Sequence, residues 1–263
     1  MIPSNDIIEW SEFAPWRSNE QVEQDLVISR SLVELFSDEL IQDNLAFRGG
    51  TAIHKLFFHT PPRYSEDIDL VQIKTGPFGH IIDRIREILS YIGEPRRSQK
   101  NRNNTLIYRF DSEIEPVQRL KLKVETNCRE HSSIFDLEYK HYEVYSSWFN
   151  GSCRIPTFQL EELIGTKLRA LYQRKKGRDL YDLYKVLNSE LPVSIEKIIQ
   201  AYKYYMKEEA SGIPNMKIYL KNIDLKMKDP EFLADTSILL HPSETYDPEA
   251  SYKKVKDLLL LKM

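Results

Sequence analysis

The sequence predicts an α/β region followed by an all-helical one. A mixed sheet with helices on it occupies residues 1–156, and a second, helical domain that closes a cleft occupies 157–263. Three observations carry this division. Residues 45–72 read as strand, glycine turn, helix, strand. Two more alternating segments follow at 105–110 and 118–126. Beyond Pro156 the apolar residues recur at helical spacing, with few strand signals.

Taken in order, residues 20–42 place Val22, Leu26, Val27, Leu32, Leu35 and Phe36 at helical spacing, which predicts an amphipathic helix of several turns. LAFRGG then makes a short strand ending in Gly49 and Gly50. The pattern turns helical over 51–58, Pro61 and Pro62 stop it, and DIDLVQI alternates from Asp67 as a half-buried strand. Residues 79–92 predict a helix and TLIYRF a strand. In QRLKLKVET, Leu120, Leu122 and Val124 share one strand face, and Lys121, Lys123 and Glu125 share the other. In the helical half, 158–175 aligns Leu160, Leu163, Ile164, Leu168 and Leu171, and 179–188 aligns Leu180, Leu183, Tyr184 and Leu187, with Gly177 between them. Further helices are expected at 195–209, 214–222 and 249–262.

Composition narrows the function classes. A chain of 263 residues that is 41% hydrophobic is long enough to bury an ordinary core. No apolar run approaches the ~18 residues of a membrane span, and acids stand where a signal peptide would be basic and then apolar, so a cytoplasmic protein is expected. Cys128 and Cys153 have no second pair, which excludes a disulfide framework and a zinc knuckle. The six histidines form no metal-ligand spacing. The net charge of −3 does not advertise a nucleic-acid binder, but two acid-free basic runs stand out at 96–102 and 167–178. Each reads either as a solvated face or as part of one acceptor surface. AYKYY at 201–205 likewise reads as helix core or as a stacking platform.

The informative chemistry lies in FRGGTAIHKLFFHTPPRYSEDIDLV, residues 47–71. Asp67 and Asp69 are two apart on a strand and therefore point to one face. Two carboxylates held that close demand a cation, and hard oxygen donors suit Mg²⁺, with Mn²⁺ as substitute. Gly49 and Gly50, opening a helix, let bare backbone and oriented N–H groups approach a triphosphate, and the Thr51 hydroxyl adds a further donor.

In this order the parts resemble the nucleotidyltransferase superfamily, whose signature is Gly-Ser followed by Asp-X-Asp; here Thr51 replaces the serine. The longer pattern through Gly49, Gly50, Thr51, Ala52, Arg63, Ser65, Asp67, Ile68, Asp69 and Leu70 resembles the AbiEii/AbiGii toxin family of type IV toxin–antitoxin systems. A later motif, Lys167, Ala170, Arg178, Asp179, Asp182 and Leu183, is similar to that family's as well. The resemblance implies a nucleotidyltransferase-type sheet domain, an NTP substrate bound by Arg48, Gly49, Gly50, Thr51, Arg63, Ser65 and Lys167, and a metal on Asp67, Asp69 and a third acid. That acid is Glu125, with Glu113 or Asp111 as the alternative. Lys167 and Asp179 are implied in catalysis beside Asp67 and Asp69.

Lys167 supports this by its place. It interrupts an apolar helical stripe, so its ammonium either snorkels to water or faces an anion-holding cleft; the cleft is expected. Asp179 also reads as a helix-capping acid, and Arg178 with Asp182 as an i,i+4 pair. The biological role implied is a toxin that extends the 3′ end of tRNA or another RNA and is opposed by a winged-helix antitoxin. The alternatives are transfer to a small-molecule or protein hydroxyl, and a non-catalytic regulatory module of the same fold.

Overall fold

In the computed structural model, which describes residues 2–100, 103–207 and 212–263, the chain separates into two units, Met1–Phe158 and Gln159–Met263. All the described strands belong to the first. After α1 (Ser4–Trp10), the Ser18 side chain caps α2 (Asn19–Phe36) by accepting from the Gln21 N–H. The helix predicted over 20–42 is two helices. Asp38 accepts from the Ile41 N–H and starts α3 (Glu39–Asn44), because a side chain that satisfies an orphan N–H favours a new helix over continuing the old one.

β1 (Leu45–Arg48) runs directly into α4 (Gly49–Phe57), and β2 (Asp67–Gln72) returns antiparallel to β1 with Arg48 opposite Asp69. α5 (Gly79–Ile88) and a 3-10 turn (Leu89–Ile92) fill the helix predicted at 79–92. β3 (Arg96–Lys100), β4 (Asn103–Asp111) and β5 (Arg119–Asn127) form a meander, followed by the hairpin of β6 (Glu138–Tyr145) and β7 (Asn150–Thr157). The sheet order is β3-β4-β5-β2-β1-β7-β6, mixed because β2 pairs with β5 and β1 with β7 in parallel. β3, β6 and β7 add to the strands the sequence predicts. RRSQK has no apolar residue and NGSCRIPT contains glycine and proline, so neither shows the period-2 pattern; sheet neighbours impose the conformation there.

One face of the sheet is core. Ile68, Leu70, Leu106, Tyr108, Leu122 and Val124 are buried on it, and α2 packs against β5, β6 and β7. Burying each such side chain stabilises by about 1.5–3 kcal/mol, so this face fixes the strand register. Two polar ties from α2 then aim the other face. Gln24 Nε2 donates to the carbonyls of Glu66 (3.1 Å) and Lys121 (2.9 Å), pinning the starts of β2 and β5 side by side. Lys55 of α4 donates to both oxygens of buried Asp25 at 3.1 and 3.0 Å, anchoring the helix that follows Gly49 and Gly50.

The second unit is helical: α6 (Leu160–Gln173), α7 (Gly177–Leu187), α8 (Ile195–Lys207), α9 (Met216–Lys226), α10 (Pro230–Ala234), α11 (Pro248–Leu258) and a final 3-10 turn (Leu260–Lys262). Residues 208 and 209 of the helix predicted to end at 209 lie outside the described residues. Gly165 lets α6 and α8 cross closely, since a Cβ there would stand 2.6 Å from that of Ala201. Tyr202 and Tyr205 of the AYKYY segment are buried in this core, with the Tyr205 hydroxyl donating to Glu162 at 2.6 Å, and both belong to the packing.

Candidate active site

The end of β1, the start of α4 and the start of β2 meet at one point of the open sheet face. Gly49 adopts a positive φ of 81°, which an L side chain rarely takes, and this turns the chain from strand into helix. Space requires glycine as much as conformation does. A Cβ on Gly49 would lie 2.3 Å from Asp69 Oδ2. The Gly49 backbone is therefore pressed against one carboxylate of the pair, and the Thr51 hydroxyl ties the same turn to β2 by donating to the Asp67 carbonyl at 2.7 Å.

Asp67 and Asp69 are half-buried on the same face of β2, between buried Ile68 and Leu70. Burial raises the pKa of each, and the neighbouring Asp67 charge raises that of Asp69 further. The parallel register sets Lys123 opposite Asp67 and Glu125 opposite Asp69. Of the three candidate third acids, Glu125 stands next to the pair, whereas Asp111 lies opposite Arg119 and pairs with it at 2.8 Å. The main-chain N–H of Glu113 donates to Glu23. Glu125 is already engaged: Lys123 Nζ lies 2.9 Å from its Oε2, and Asn103 Nδ2 donates to its Oε1 at 3.3 Å. Lys123 is also 3.5 Å from Asp67 Oδ2. Among the described residues no three acidic, histidine or cysteine side chains converge on one point. At this cluster a lysine ammonium stands between Asp67 and Glu125, and it is the functional-face residue the sequence reading missed. Its only signal is the Lys121, Lys123, Glu125 alternation, which has meaning once the β2–β5 register is known.

The other residues expected around a triphosphate differ in how free they are. Gly50 and Thr51 are buried in the first turn of α4. Arg48 immediately precedes that helix, opposite Asp69, and pairs with Glu130 at 2.8 Å. Arg63 is buried, donating to the Tyr64 carbonyl and to Ser65 Oγ at 3.0 and 3.1 Å, so both Arg63 and Ser65 brace the loop that enters β2.

In the second unit Lys167 does not present a free ammonium. Its Nζ lies 3.1 Å from Asp179 Oδ1 and 2.8 Å from Asp182 Oδ2, and both carboxylates are fully buried. Arg174 adds two bonds to Asp179, at 2.7 and 2.8 Å. Burial alone would raise the Asp179 pKa, but Lys167 and Arg174 outweigh it and hold it below the usual carboxylate range. A lysine on an apolar stripe meets two acids brought to it by α7. The basic run 167–178 is likewise spent inside this unit. Lys175 pairs with Asp229, and Lys176 and Arg178 pair with Asp235. The run at 96–102 differs. Arg96, Arg97 and Lys100 are exposed on edge strand β3, and Asn101 and Arg102 lie outside the described residues.

The donor set suits a hard divalent cation. It consists of the paired carboxylates of Asp67 and Asp69 on one strand face and a side-chain-free backbone approach at Gly49. Comparison with known proteins agrees with the fold. The family model described as Nucleotidyl transferase AbiEii toxin, Type IV TA system, matches residues 30–254. Among solved structures, the chain is similar to MenT4, a nucleotidyltransferase toxin from Mycobacterium tuberculosis H37Rv, with a TM-score of 0.66 and 15% identity over 100% of this chain and 91% of that one. It is also similar to JHP933 from Helicobacter pylori, with a TM-score of 0.53 and 16% identity over 93% and 92% of the two chains. A search of curated protein sequences gives no match.

Proposed function

Since this chain belongs to the AbiEii nucleotidyl transferase toxin family of type IV toxin–antitoxin systems, and is thereby a nucleotidyltransferase, we propose that it transfers a nucleoside monophosphate from an NTP to a hydroxyl of an RNA. The 3′ end of tRNA is the acceptor we favour. The observation that carries this reading is the contact of the Gly49 backbone with the Asp69 carboxylate, which brings a phosphate-accessible helix start and a paired-carboxylate strand to one point.

Asp67 and Asp69, with Glu125 as third acid, would hold Mg²⁺ or Mn²⁺, and the ion would supply charge neutralisation and orientation at the triphosphate. The protein's own part is positional. The N–H groups opening α4 and the Arg48 guanidinium, which also pairs with Glu130, would meet the phosphate charge, and Arg63 and Ser65 keep the entry to β2 rigid. The acceptor oxygen bonds to the α-phosphorus, the bond to the β-phosphate oxygen breaks, and pyrophosphate leaves as the hydroxyl proton passes to solvent. Lys167 and Asp179 carry the family's later motif and are assigned to catalysis on that basis; their mutual ion pair makes each necessary to the other's placement.

Transfer to a small-molecule or protein hydroxyl is the second reading, favoured by the internal pairing of the 167–178 run. Incubating the protein with each α-labelled NTP, Mg²⁺ and total tRNA separates the two: label entering RNA supports the first, and label entering only protein or small molecules supports the second. We further propose a cytoplasmic location, consistent with the finding that no described helix is long and apolar enough to cross a membrane, and an antitoxin partner of winged-helix type encoded nearby.

A further inference from the structure

On the open sheet face Lys123 places an ammonium beside Asp67 and Glu125. Parallel pairing puts it opposite Asp67 and two residues before Glu125 on β5. Its Nζ is 2.9 Å from Glu125 Oε2 and 3.5 Å from Asp67 Oδ2, and its side chain keeps 28% of its exposure, so it is not sealed into the core. One positive charge is thus tethered between two carboxylates, Asp67 and Glu125. The contacts are unequal: the short one holds Glu125, and the longer one reaches the strand that carries the pair.

Resting on the reading of Asp67 and Asp69 as metal ligands, we propose that Lys123 is a tethered counter-cation that disfavours the bare divalent ion and favours the metal–nucleotide complex. A divalent ion arriving alone must enter beside an ammonium at contact distance, and like charges in a partly dehydrated site repel strongly. A metal bound to a nucleoside triphosphate arrives with net negative charge, because the phosphate charge outweighs the metal's. The ammonium that leaves Asp67 then finds phosphate oxygens as new acceptors. Lysine suits the task, being a compact charge on a four-carbon stem that swings without disturbing the strand. The site is thereby held together before substrate arrives and is loaded by metal and nucleotide together.

The test is a pair of titrations on the full chain. Bare Mn²⁺ is titrated into wild type, Lys123→Met and Lys123→Arg without nucleotide, and a non-hydrolysable NTP is titrated in the presence of Mg²⁺. Lys123→Met is expected to bind bare Mn²⁺ about tenfold more tightly than wild type and the Mg²⁺–nucleotide more weakly. Lys123→Arg keeps the charge and is expected to stay within about threefold of wild type in both. Lys123→Gln replaces the methionine variant if circular dichroism shows that the latter does not fold. Mn²⁺ affinity in the neutral variant equal to or below wild type overturns the proposal, as does nucleotide binding that is unchanged or tighter. Mn²⁺ bound by every variant alike overturns this inference alone, whereas no Mn²⁺ bound by any protein overturns it together with the metal-site reading.

Discussion

Gly49 and Asp69, twenty residues apart in sequence, are in contact through a gap that admits no methyl group: a Cβ on Gly49 would stand 2.3 Å from Asp69 Oδ2. The glycine turn and the paired carboxylates are therefore one structural unit. Gly49→Ala combines that clash with a φ of 81°. The variant is expected to lose about 1–3 kcal/mol of stability and at least about a hundredfold in transfer rate, because Asp69 must move. Urea denaturation and single-turnover kinetics check the two effects separately. Wild-type turnover in the alanine variant would remove this contact from the mechanism.

Lys167 is expected to matter to stability as well as to activity. Replacing it by methionine leaves buried Asp182 without that ammonium and Asp179 with Arg174 alone. Breaking a buried pair in this way costs about 3–5 kcal/mol, which corresponds to a melting temperature lower by roughly ten degrees. A melting temperature equal to or above wild type, measured by differential scanning calorimetry, would show that the ion network is not a stabilising one.

Glu23 gives the chain a predictable pH dependence. It is buried, Oε1 has no hydrogen-bond partner, and burial pushes its pKa from 4.5 up to about 7. The folded chain therefore holds a proton that the unfolded chain releases, so stability falls as pH rises from about 4.5 through about 7. The loss is at most about 3 kcal/mol. Urea midpoints at pH 5 and pH 8 should fall further in wild type than in Glu23→Gln; parallel profiles for the two would contradict the assignment.

The two basic runs are expected to behave differently. Charge reversal at exposed Arg96, Arg97 and Lys100 should weaken RNA binding more than NTP binding and flatten its salt dependence. Reversal at Lys175 or Lys176, which pair with Asp229 and Asp235, should act on stability instead. RNA affinity that does not change with salt would favour a small-molecule or protein acceptor.

The elements carrying an apolar period were readable in advance. β2, β5, α6 and α7 fall close to where their alternation or helical stripes put them, because burial on one face enforces those periods. β3 and β7 were not readable, since their strand conformation comes from partners. The Asp67, Asp69 and Gly49 cluster was visible as a motif, but its steric interlock was not. Lys123 beside Asp67 and Lys167 between Asp179 and Asp182 depend on register and on helix pairing, which no single segment encodes. The same holds for the neutralisation of the 167–178 run by Asp229 and Asp235, acids more than fifty residues away.

The most direct test is transfer by Asp69→Asn, which keeps the size of the side chain beside Gly49 and removes its charge. With α-labelled NTP, Mg²⁺ and total tRNA, wild type is expected to label RNA, while a natively folded Asp69→Asn protein labels it at least about a thousandfold more slowly and binds Mn²⁺ more weakly. Labelling by Asp69→Asn at the wild-type rate would contradict the central claim that this carboxylate pair is the catalytic metal site.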